Sequence, residues 1–305
     1  MTLIARRAHA KAIRAKGLRI GGALGGLTLE VKAAETLDFR PDVTLLAVKT
    51  QDVESACRPV SAALRDAAVV TLQNGVRSDE IVAALLLQEN IVSGVVLLNA
   101  QFLEPGEIIY ARGWRLIIGE PFGPNGPRVK ELRFLLGRAV RTETSNDICG
   151  AHWTKLLMNN IANGLEAMTG LSVRECLRAP RMRRIAALTL KEGYRAVRRS
   201  GIRLAPLPGV PLASLTFIVR SPLPATAWML GRSVGSLKTL GSTLKSLRRG
   251  RPTEIDYLNG EIVSLGREVG MATPYNAEAV NLVHEVEKSR CFFIPDELVG
   301  QFARR

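Results

Sequence analysis

The first half of the chain alternates short β-branched runs with segments of helical period, and this pattern constrains the fold most strongly. Strands are predicted in "TLIAR", "DVTLLAVK" and "AVVTLQNG", with helices in "AHAKAIRAKG", "QDVESACRPVSAALRDA" and "NGPRVKELRFLLGRA". "LRIGG" and "LTLEVK" are predicted to form a hairpin. Because alternating strands and helices build parallel sheets with helices on both faces, the pattern predicts an α/β, Rossmann-like doubly wound parallel sheet. The strand in "DVTLLAVK" is predicted to be buried.

From about residue 145 the pattern becomes helical. Long periodic segments run to about Ala205 and again from about Ser233 to Ser289, with a proline-rich stretch between them. A chain of 305 residues is long enough for two hydrophobic cores. We therefore predict a Rossmann-like domain over residues 1–144 and an all-α domain over residues 145–305.

The amino-acid composition indicates which class of ligand the protein can be expected to bind. The net charge of +14 suits either nucleic acid or anionic small ligands, but the basic residues are dispersed and aromatic residues make up only 5%. These features favour a small anionic molecule over nucleic acid. The richest apolar region is interrupted by Arg220, Pro222 and Pro224, so no membrane span is expected. The amino-terminal apolar run is too short for a secretory signal, which predicts a cytoplasmic protein.

Four cysteines stand far apart without a CxxC pair, so neither a metal site nor a disulfide framework is predicted. They are Cys57, Cys149, Cys176 and Cys291.

A line of polar residues interrupts the otherwise apolar helical segment "HWTKLLMNNIANGLEAM". Lys155, Asn159 and Asn163 recur at i, i+4 and i+8, which places them on one face of the helix. We call these three residues the polar stripe. From the residues alone, a solvated lysine and satisfied buried amides are the more common explanation of such a stripe. The other interpretation is one wall of a substrate site.

The glycine loop that holds a dinucleotide pyrophosphate is not found in this sequence. The nearest candidate, Gly21 to Gly26, lacks the GxGxxG spacing and precedes a strand rather than a helix, which is typical of a hairpin turn. Arg6 and Arg7 end the run "TLIARR", where the second strand of a Rossmann fold would carry the residue that selects NADP. We therefore expect a βα unit of roughly 25 residues before Met1, and we expect the 305-residue chain alone to bind NADPH and fold poorly.

Several motifs together resemble one family. They are "TLIARRAHAKAIRAKGL", "LLAVKTQDV", "VVTLQNGV", "WTKLLMNNIAN" and "GRPTEIDYLNGEIV", in this order along essentially the whole chain. This series resembles the ketopantoate reductase family (2-dehydropantoate 2-reductase). The resemblance implies an NADPH-binding Rossmann domain and a helical domain like the carboxyl-terminal domain of 6-phosphogluconate dehydrogenase, with the active site in the cleft that they share. It also implies reduction of ketopantoate to pantoate in pantothenate biosynthesis, and a homodimer through the helical domain.

The resemblance also assigns roles to individual residues. The catalytic pair is Lys155, as general acid, and Glu254. The substrate-binding residues are Asn159, Asn163, Ser242 and Asn74, and the cofactor-binding residues are Arg6, Lys49 and Asn74.

One segment departs from the family pattern. Relatives often carry an acidic residue near Ser246, whereas "STLKSLRRGRP" is strongly basic here. A reductase of another 2-keto acid therefore remains an alternative, as does a truncated, non-catalytic relative that binds a ligand through its helical domain.

Overall fold

The structure is a computed structural model that describes residues 1–22, 25–233 and 241–303. The chain divides into two units. Unit 1 contains Met1–Val48, Asp52–Gln73 and Ser78–Ile148. Unit 2 contains Lys49–Gln51, Asn74–Arg77 and Cys149–Arg305, so two short loops from the first half of the chain belong to the helical unit.

Unit 1 carries the strands. They are β1 (Thr2–Ile4), β2 (Leu18–Gly22), β3 (Leu27–Leu29), β4 (Lys32–Ala34), β5 (Val43–Leu46), β6 (Ala68–Thr71), β7 (Ile91–Glu104), β8 (Glu107–Gly119) and β9 (Arg141–Thr144). β1 and β4 form a parallel two-stranded sheet. The larger sheet has the order β3-β2-β8-β7-β6-β5, and β9 also pairs with β8. The predicted α/β sheet domain followed by a helical region is confirmed.

The larger sheet is mixed, so the prediction of a parallel sheet is only partly correct. β5, β6 and β7 are parallel to one another, as are β2 and β8, and β8 and β9. β7 and β8 are antiparallel, because only Pro105 and Gly106 connect them and Gly106 has φ +87°. A tight turn can join only antiparallel neighbours, since a parallel connection needs a longer crossover. The predicted β2–β3 hairpin is antiparallel.

Every residue of β6, which lies between β7 and β5 in the larger sheet, is buried. β5, predicted to be buried, forms the end of the sheet and pairs only with β6 among the described strands. Leu45 of β5 is consequently 46% exposed. An apolar run in the sequence identifies a strand but does not show whether neighbours cover both of its sides.

The helices of unit 1 are short. They are α1 (Arg7–Lys16), α2 (Val53–Cys57), α3 (Ser61–Leu64), α4 (Ser78–Ala83) and α5 (Pro127–Gly137). The single helix predicted over "QDVESACRPVSAALRDA" is instead divided into α2, a 3₁₀ turn at Arg58–Val60, and α3. Pro59 lacks the N–H that a continuous helix needs, which explains the break.

Unit 2 is helical. Its helices are α6 (Ile148–Thr169), α7 (Val173–Cys176), α8 (Pro180–Arg199), α9 (Leu212–Arg220), α10 (Leu223–Ser233), α11 (Ser242–Arg248), α12 (Asn259–Glu268), α13 (Pro274–Ser289) and α14 (Pro295–Ala303). The predicted helical stretch from Ser233 to Ser289 is divided among α11, α12 and α13, and its residues 234–240 lie outside the described residues. Among the described residues, no helix is long and apolar enough to cross a membrane.

Candidate active site

The polar stripe lies on α6, whose opposite face builds the core of unit 2. Leu156, Leu157 and Ile161 are almost completely buried in that core. Lys155 and Asn159 are half-buried, and Asn163 is buried. A spacing of four residues turns a helix by slightly more than one revolution, so the stripe stays on one side of α6 while Leu157 and Ile161 lie on the other.

The charge of Lys155 is coupled to Glu254, which precedes a 3₁₀ turn at Ile255–Tyr257. Burial lowers the pKa of Lys155 to about 8, and the negative charge of Glu254 partly opposes that shift. Glu254 is only 8% exposed. Its Oε1 accepts hydrogen bonds from the backbone N–H of Thr50 at 3.1 Å and from Thr50 Oγ1 at 3.2 Å. The structure thus places the two predicted catalytic side chains in one electrostatic environment.

The loop Lys49–Gln51, which follows β5, is attached to unit 2 by side-chain hydrogen bonds. Lys49 Nζ donates to Ser246 Oγ at 2.9 Å and to the Pro252 carbonyl at 2.5 Å. Gln51 Nε2 donates to the Thr253 carbonyl at 3.3 Å. The predicted cofactor residue Lys49 therefore fixes the segment that carries Glu254, a contact between residues about 200 positions apart that the sequence did not indicate.

The loop Asn74–Arg77, which follows β6, is attached in a similar way. The Asn74 carbonyl accepts a hydrogen bond from Thr50 Oγ1 at 3.0 Å. Arg77 Nε pairs with the buried Glu261 at 2.7 Å. His152 hydrogen-bonds to the backbone of Gly75, and burial, followed by the nearby charge of Lys155, lowers the pKa of His152 to about 3. His152 is therefore neutral, as expected of a packing residue rather than a proton carrier.

Gly75 offers a test of how closely this loop must approach the helical unit. It has φ +93°, and a Cβ built on it would lie 2.6 Å from the Tyr257 carbonyl oxygen. We expect Gly75→Ala to destabilise unit 2 by roughly 1–3 kcal/mol, because it combines a strained backbone with a steric clash. Thermal melting followed by circular dichroism measures the effect.

Gly300→Ala is the matched control for that substitution. Gly300 lies exposed in α14 of the same unit, and nothing lies within 4 Å of a Cβ added there. Alanine is a better helix former than glycine, so this variant should melt at the same or a slightly higher temperature. Equal melting temperatures for the two variants would contradict the close approach at Gly75.

Glu166 extends the polar stripe by one turn and was not identified from the sequence. It is fully buried in α6. Its carboxylate accepts hydrogen bonds from the N–H groups of Val173, at 2.7 Å, and Gly241. A Cβ on Gly241 would lie 2.3 Å from Asn163 Oδ1, so Ser242 begins α11 directly beside the stripe. The only signal available in the sequence was the i+3 spacing of Glu166 from Asn163.

A second unpredicted group supports Glu254. Glu287 accepts a hydrogen bond from the Thr253 N–H at 2.6 Å and from His284 Nδ1 at 2.7 Å, while His284 Nε2 lies 2.9 Å from Asp256. Burial lowers the pKa of His284, but the hydrogen bonds and charges of Glu287 and Asp256 outweigh it, and the net shift is upward. This network fixes the backbone on both sides of Glu254.

The remaining predicted residue, Arg6, lies in unit 1. It follows β1 and occupies the N-cap position of α1 without a side-chain cap hydrogen bond. Its side chain is highly exposed, and its guanidinium is 3.2 Å from Asp52. The segment Gly21 to Gly26 lies in the β2–β3 hairpin, as predicted, although Ala23 and Leu24 lie outside the described residues. Within the described ranges, no cluster of three or more His, Cys, Asp or Glu side chains suitable for a metal ion is found.

The site in unit 2 therefore combines three chemical functions. Lys155 is a cation whose pKa is lowered to about 8, and Glu254 is a buried carboxylate whose charge acts on it. Asn159, Asn163 and Ser242 supply neutral hydrogen-bonding groups. Such a set can bind an anionic molecule and protonate an oxygen on which negative charge develops. The arrangement is typical of an enzyme that reduces a carbonyl group.

Comparison with known proteins identifies the family. The model "Ketopantoate reductase PanE/ApbA" matches residues 1–122, and "Ketopantoate reductase PanE/ApbA C terminal" matches residues 147–287. The chain belongs to the ketopantoate reductase PanE/ApbA family. It is 29% identical over 286 residues to 2-dehydropantoate 2-reductase of Archaeoglobus fulgidus, which covers 93% of this chain and 88% of the relative.

Two solved structures show the same fold. A PanE/ApbA family ketopantoate reductase from Ralstonia eutropha superimposes with a TM-score of 0.80 at 27% identity, covering 95% of this chain and 91% of the other. D-mandelate dehydrogenase in complex with NADH and anilino(oxo)acetate also gives a TM-score of 0.80, covering 94% and 91%, but at 21% identity, so that likeness shows the fold alone.

Proposed function

We propose that the protein reduces 2-dehydropantoate to pantoate with NADPH, a step of pantothenate biosynthesis, in the cytoplasm. The observation that carries the proposal is the lysine of the stripe, Lys155, whose pKa is lowered to about 8 beside Glu254. A family of 2-dehydropantoate 2-reductases requires such a group to protonate the product alkoxide. The relative from Archaeoglobus fulgidus, a 2-dehydropantoate 2-reductase, supports this substrate. The homodimer through the helical domain is proposed from the family resemblance.

Lys155 acts as the general acid in this proposal. A pKa of about 8 keeps most of the ammonium protonated at neutral pH while making the proton easier to transfer than from a solvated lysine. Its Nζ donates the proton to the ketone oxygen of the substrate as negative charge develops there. The same positive charge attracts the substrate before the reaction.

Glu254 holds the lysine and orients the substrate. Its charge raises the pKa of Lys155 and so keeps that group protonated against the effect of burial. Because Thr50 donates hydrogen bonds to Oε1, the carboxylate has a fixed orientation and can accept a hydrogen bond from a substrate hydroxyl. Asn159, Asn163 and Ser242 bind the substrate carboxylate without neutralising Lys155, since their hydrogen-bond donors carry no charge.

The residues present fit NADPH at one point. The Arg6 guanidinium is exposed at the carboxyl end of a strand and at the start of a helix, a position suited to a 2′-phosphate. The carboxylate of Asp52, which lies 3.2 Å from this guanidinium, would be displaced by the phosphate or would share the guanidinium with it. When bound, NADPH supplies the hydride that reduces the ketone carbon. Lys49 and Asn74 are proposed to contact the nicotinamide side of the cofactor.

Steady-state kinetics with a panel of 2-keto acids tests the proposal. We expect 2-dehydropantoate with NADPH to give the highest kcat/KM, and the same substrate with NADH to give a lower value because NADH has no phosphate for Arg6. Pyruvate is the control substrate, since it keeps the keto acid but lacks the hydroxyl that Glu254 is proposed to bind. Turnover of 2-dehydropantoate no better than that of pyruvate would reject the substrate assignment.

A second candidate is a reductase of another 2-keto acid. The segment between Ser242 and Pro252 carries Lys245, Arg248, Arg249 and Arg251, and Lys49 contacts it through Ser246. These cations favour a substrate with more negative charge than 2-dehydropantoate. The same panel, extended to 2-keto dicarboxylic acids, distinguishes the two, whereas binding of NADPH without turnover of any keto acid would support a non-catalytic relative.

A further inference from the structure

An open, basic cavity lies in unit 2, and none of the proposed catalytic residues lines it. Its volume is about 620 Å³. Five of the side chains that line it are cations, and none is acidic; the cations are Lys191, Arg195, Arg198, Arg199 and Arg220. The other lining residues are one tyrosine, one valine and one methionine. We call it the arginine cavity.

Lys191 has a structural role in the arginine cavity. Its Nζ donates to the carbonyl oxygens of Val219 and Ser221 and to Thr226 Oγ1. It therefore satisfies carbonyl groups at the end of α9 and fixes one side of the cavity. These hydrogen bonds fix the end of α9, which carries Arg220, relative to α8, which carries the other three arginines.

The four arginines form no close ion pair among the described residues. Arg195, Arg198 and Arg199 lie on the last turns of α8, and Arg220 is the last residue of α9. All four are exposed. The guanidinium of Arg199 makes one neutral contact, to the Val269 carbonyl at 2.8 Å.

The acidic residue of α8, Glu192, is coupled to Arg195 through its charge, but its hydrogen bonds go to another helix. Glu192 is buried, and its carboxylate accepts bonds from the N–H groups of Tyr275 and Asn276 and from the Asn276 amide. A basic residue at the end of a helix is favourable by itself, because it complements the helix dipole. Four of them around one cavity repel one another, so the helix dipole does not account for their convergence.

We propose that the arginine cavity binds a small polyanion that carries at least two phosphate groups, such as an organic diphosphate. Guanidinium groups bind phosphate oxygens in a bidentate manner, and several arginines around one concave space suit adjacent phosphates better than a single carboxylate. The volume lies within the range of small-ligand sites. The cations surround a cavity rather than forming an extended track, which favours a compact ligand over nucleic acid.

Isothermal titration calorimetry with inorganic pyrophosphate and tripolyphosphate tests the proposal at constant ionic strength. We expect saturable binding of one ligand per chain, and tighter binding of tripolyphosphate than of sulfate. The double variant Arg195→Gln/Arg198→Gln should weaken binding by about tenfold or more, because it removes two charged contacts. This readout needs no turnover, so it stands or falls independently of the proposed reductase activity.

The matched control is Arg133→Gln/Arg138→Gln, which changes the net charge equally at two exposed positions in and directly after α5. Its affinity should stay within about twofold of the parent protein, since only diffuse charge is lost. Three results would overturn the proposal: no saturable binding, equal losses in both double variants, or displacement of the phosphates by duplex DNA that binds more tightly through the same arginines. Thermal melting of both variants verifies that they are folded.

Discussion

Replacing Lys155 with methionine is expected to lower kcat/KM for 2-dehydropantoate by about 10²–10⁴-fold, the range typical of losing a general acid. Methionine has a similar length but no proton to donate, and it leaves the Glu254 carboxylate without its neighbouring cation. Initial rates of NADPH oxidation measure the loss. Lys130→Met, at an exposed position on α5, is the control and should retain full activity.

Lys155→Arg separates proton donation from simple charge. Arginine keeps the positive charge but is not deprotonated in proteins, so it cannot act as an acid near neutral pH. We expect this variant to bind substrate but to lose turnover nearly as fully as the methionine variant. If it retained more than half of the parent activity, the assignment of Lys155 as proton donor would be wrong, and an electrostatic role alone would remain.

The titration of Lys155 can be measured without turnover. Competitive acetylation followed by peptide mass spectrometry should show half-maximal reactivity of Lys155 at a pH near 8, because its pKa is lowered to about that value. Lys130, which is exposed on α5, serves as the internal reference in the same digest. The protonated form is the active one, so the activity should also fall as the pH rises above about 8.

Replacing Glu254 with glutamine is expected to lower kcat/KM by about 10²-fold and to move this alkaline fall to lower pH. The carboxylate charge raises the pKa of Lys155, so its removal leaves burial unopposed and the pKa drops further. Glutamine can still accept the hydrogen bond from the Thr50 N–H, so the loop geometry should be preserved. A pH–rate profile of the variant measures both effects.

Glu285→Gln is the control for that experiment. Glu285 is exposed on α13. Its substitution removes the same charge as Glu254→Gln, but at a position that is not coupled to Lys155. Its profile should coincide with that of the parent protein. A Glu254→Gln variant whose alkaline limb stayed in place, or moved to higher pH, would contradict the electrostatic coupling between Glu254 and Lys155.

Much of the architecture could be predicted because it depends on local periodicity. The helix of the polar stripe, the β2–β3 hairpin and the β6 strand all form as predicted. The segment of β7 and β8 is predicted from its sequence to contain several strands with a turn at Pro105 and Gly106, and the structure has that turn between two antiparallel strands. The parallel arrangement was predicted for the sheet as a whole, from strand–helix alternation. The exposure of Leu45 could not be predicted, because it depends on which strands adjoin β5.

In the candidate site, too, the residues that one helix or one motif brings together could be predicted, whereas those that depend on a distant segment could not. Lys155, Asn159 and Asn163 were recognisable because one helix places them on one face, and motif order pointed to Glu254 and Ser242. Glu166, Arg77 and His284 were missed because each acts on a partner from another segment. Arg77 and Glu261, for example, are 184 positions apart and nothing in their local sequence pairs them.

The sequence by itself therefore determined the helices, the strands and the identity of the groups that can carry charge. Only the tertiary structure decided what those groups can do chemically. The pKa of Lys155 is lowered by the neighbours that exclude water from it and is supported by a carboxylate about 100 residues away in sequence. Burial and proximity are properties of the folded chain, and a residue type in a sequence contains neither.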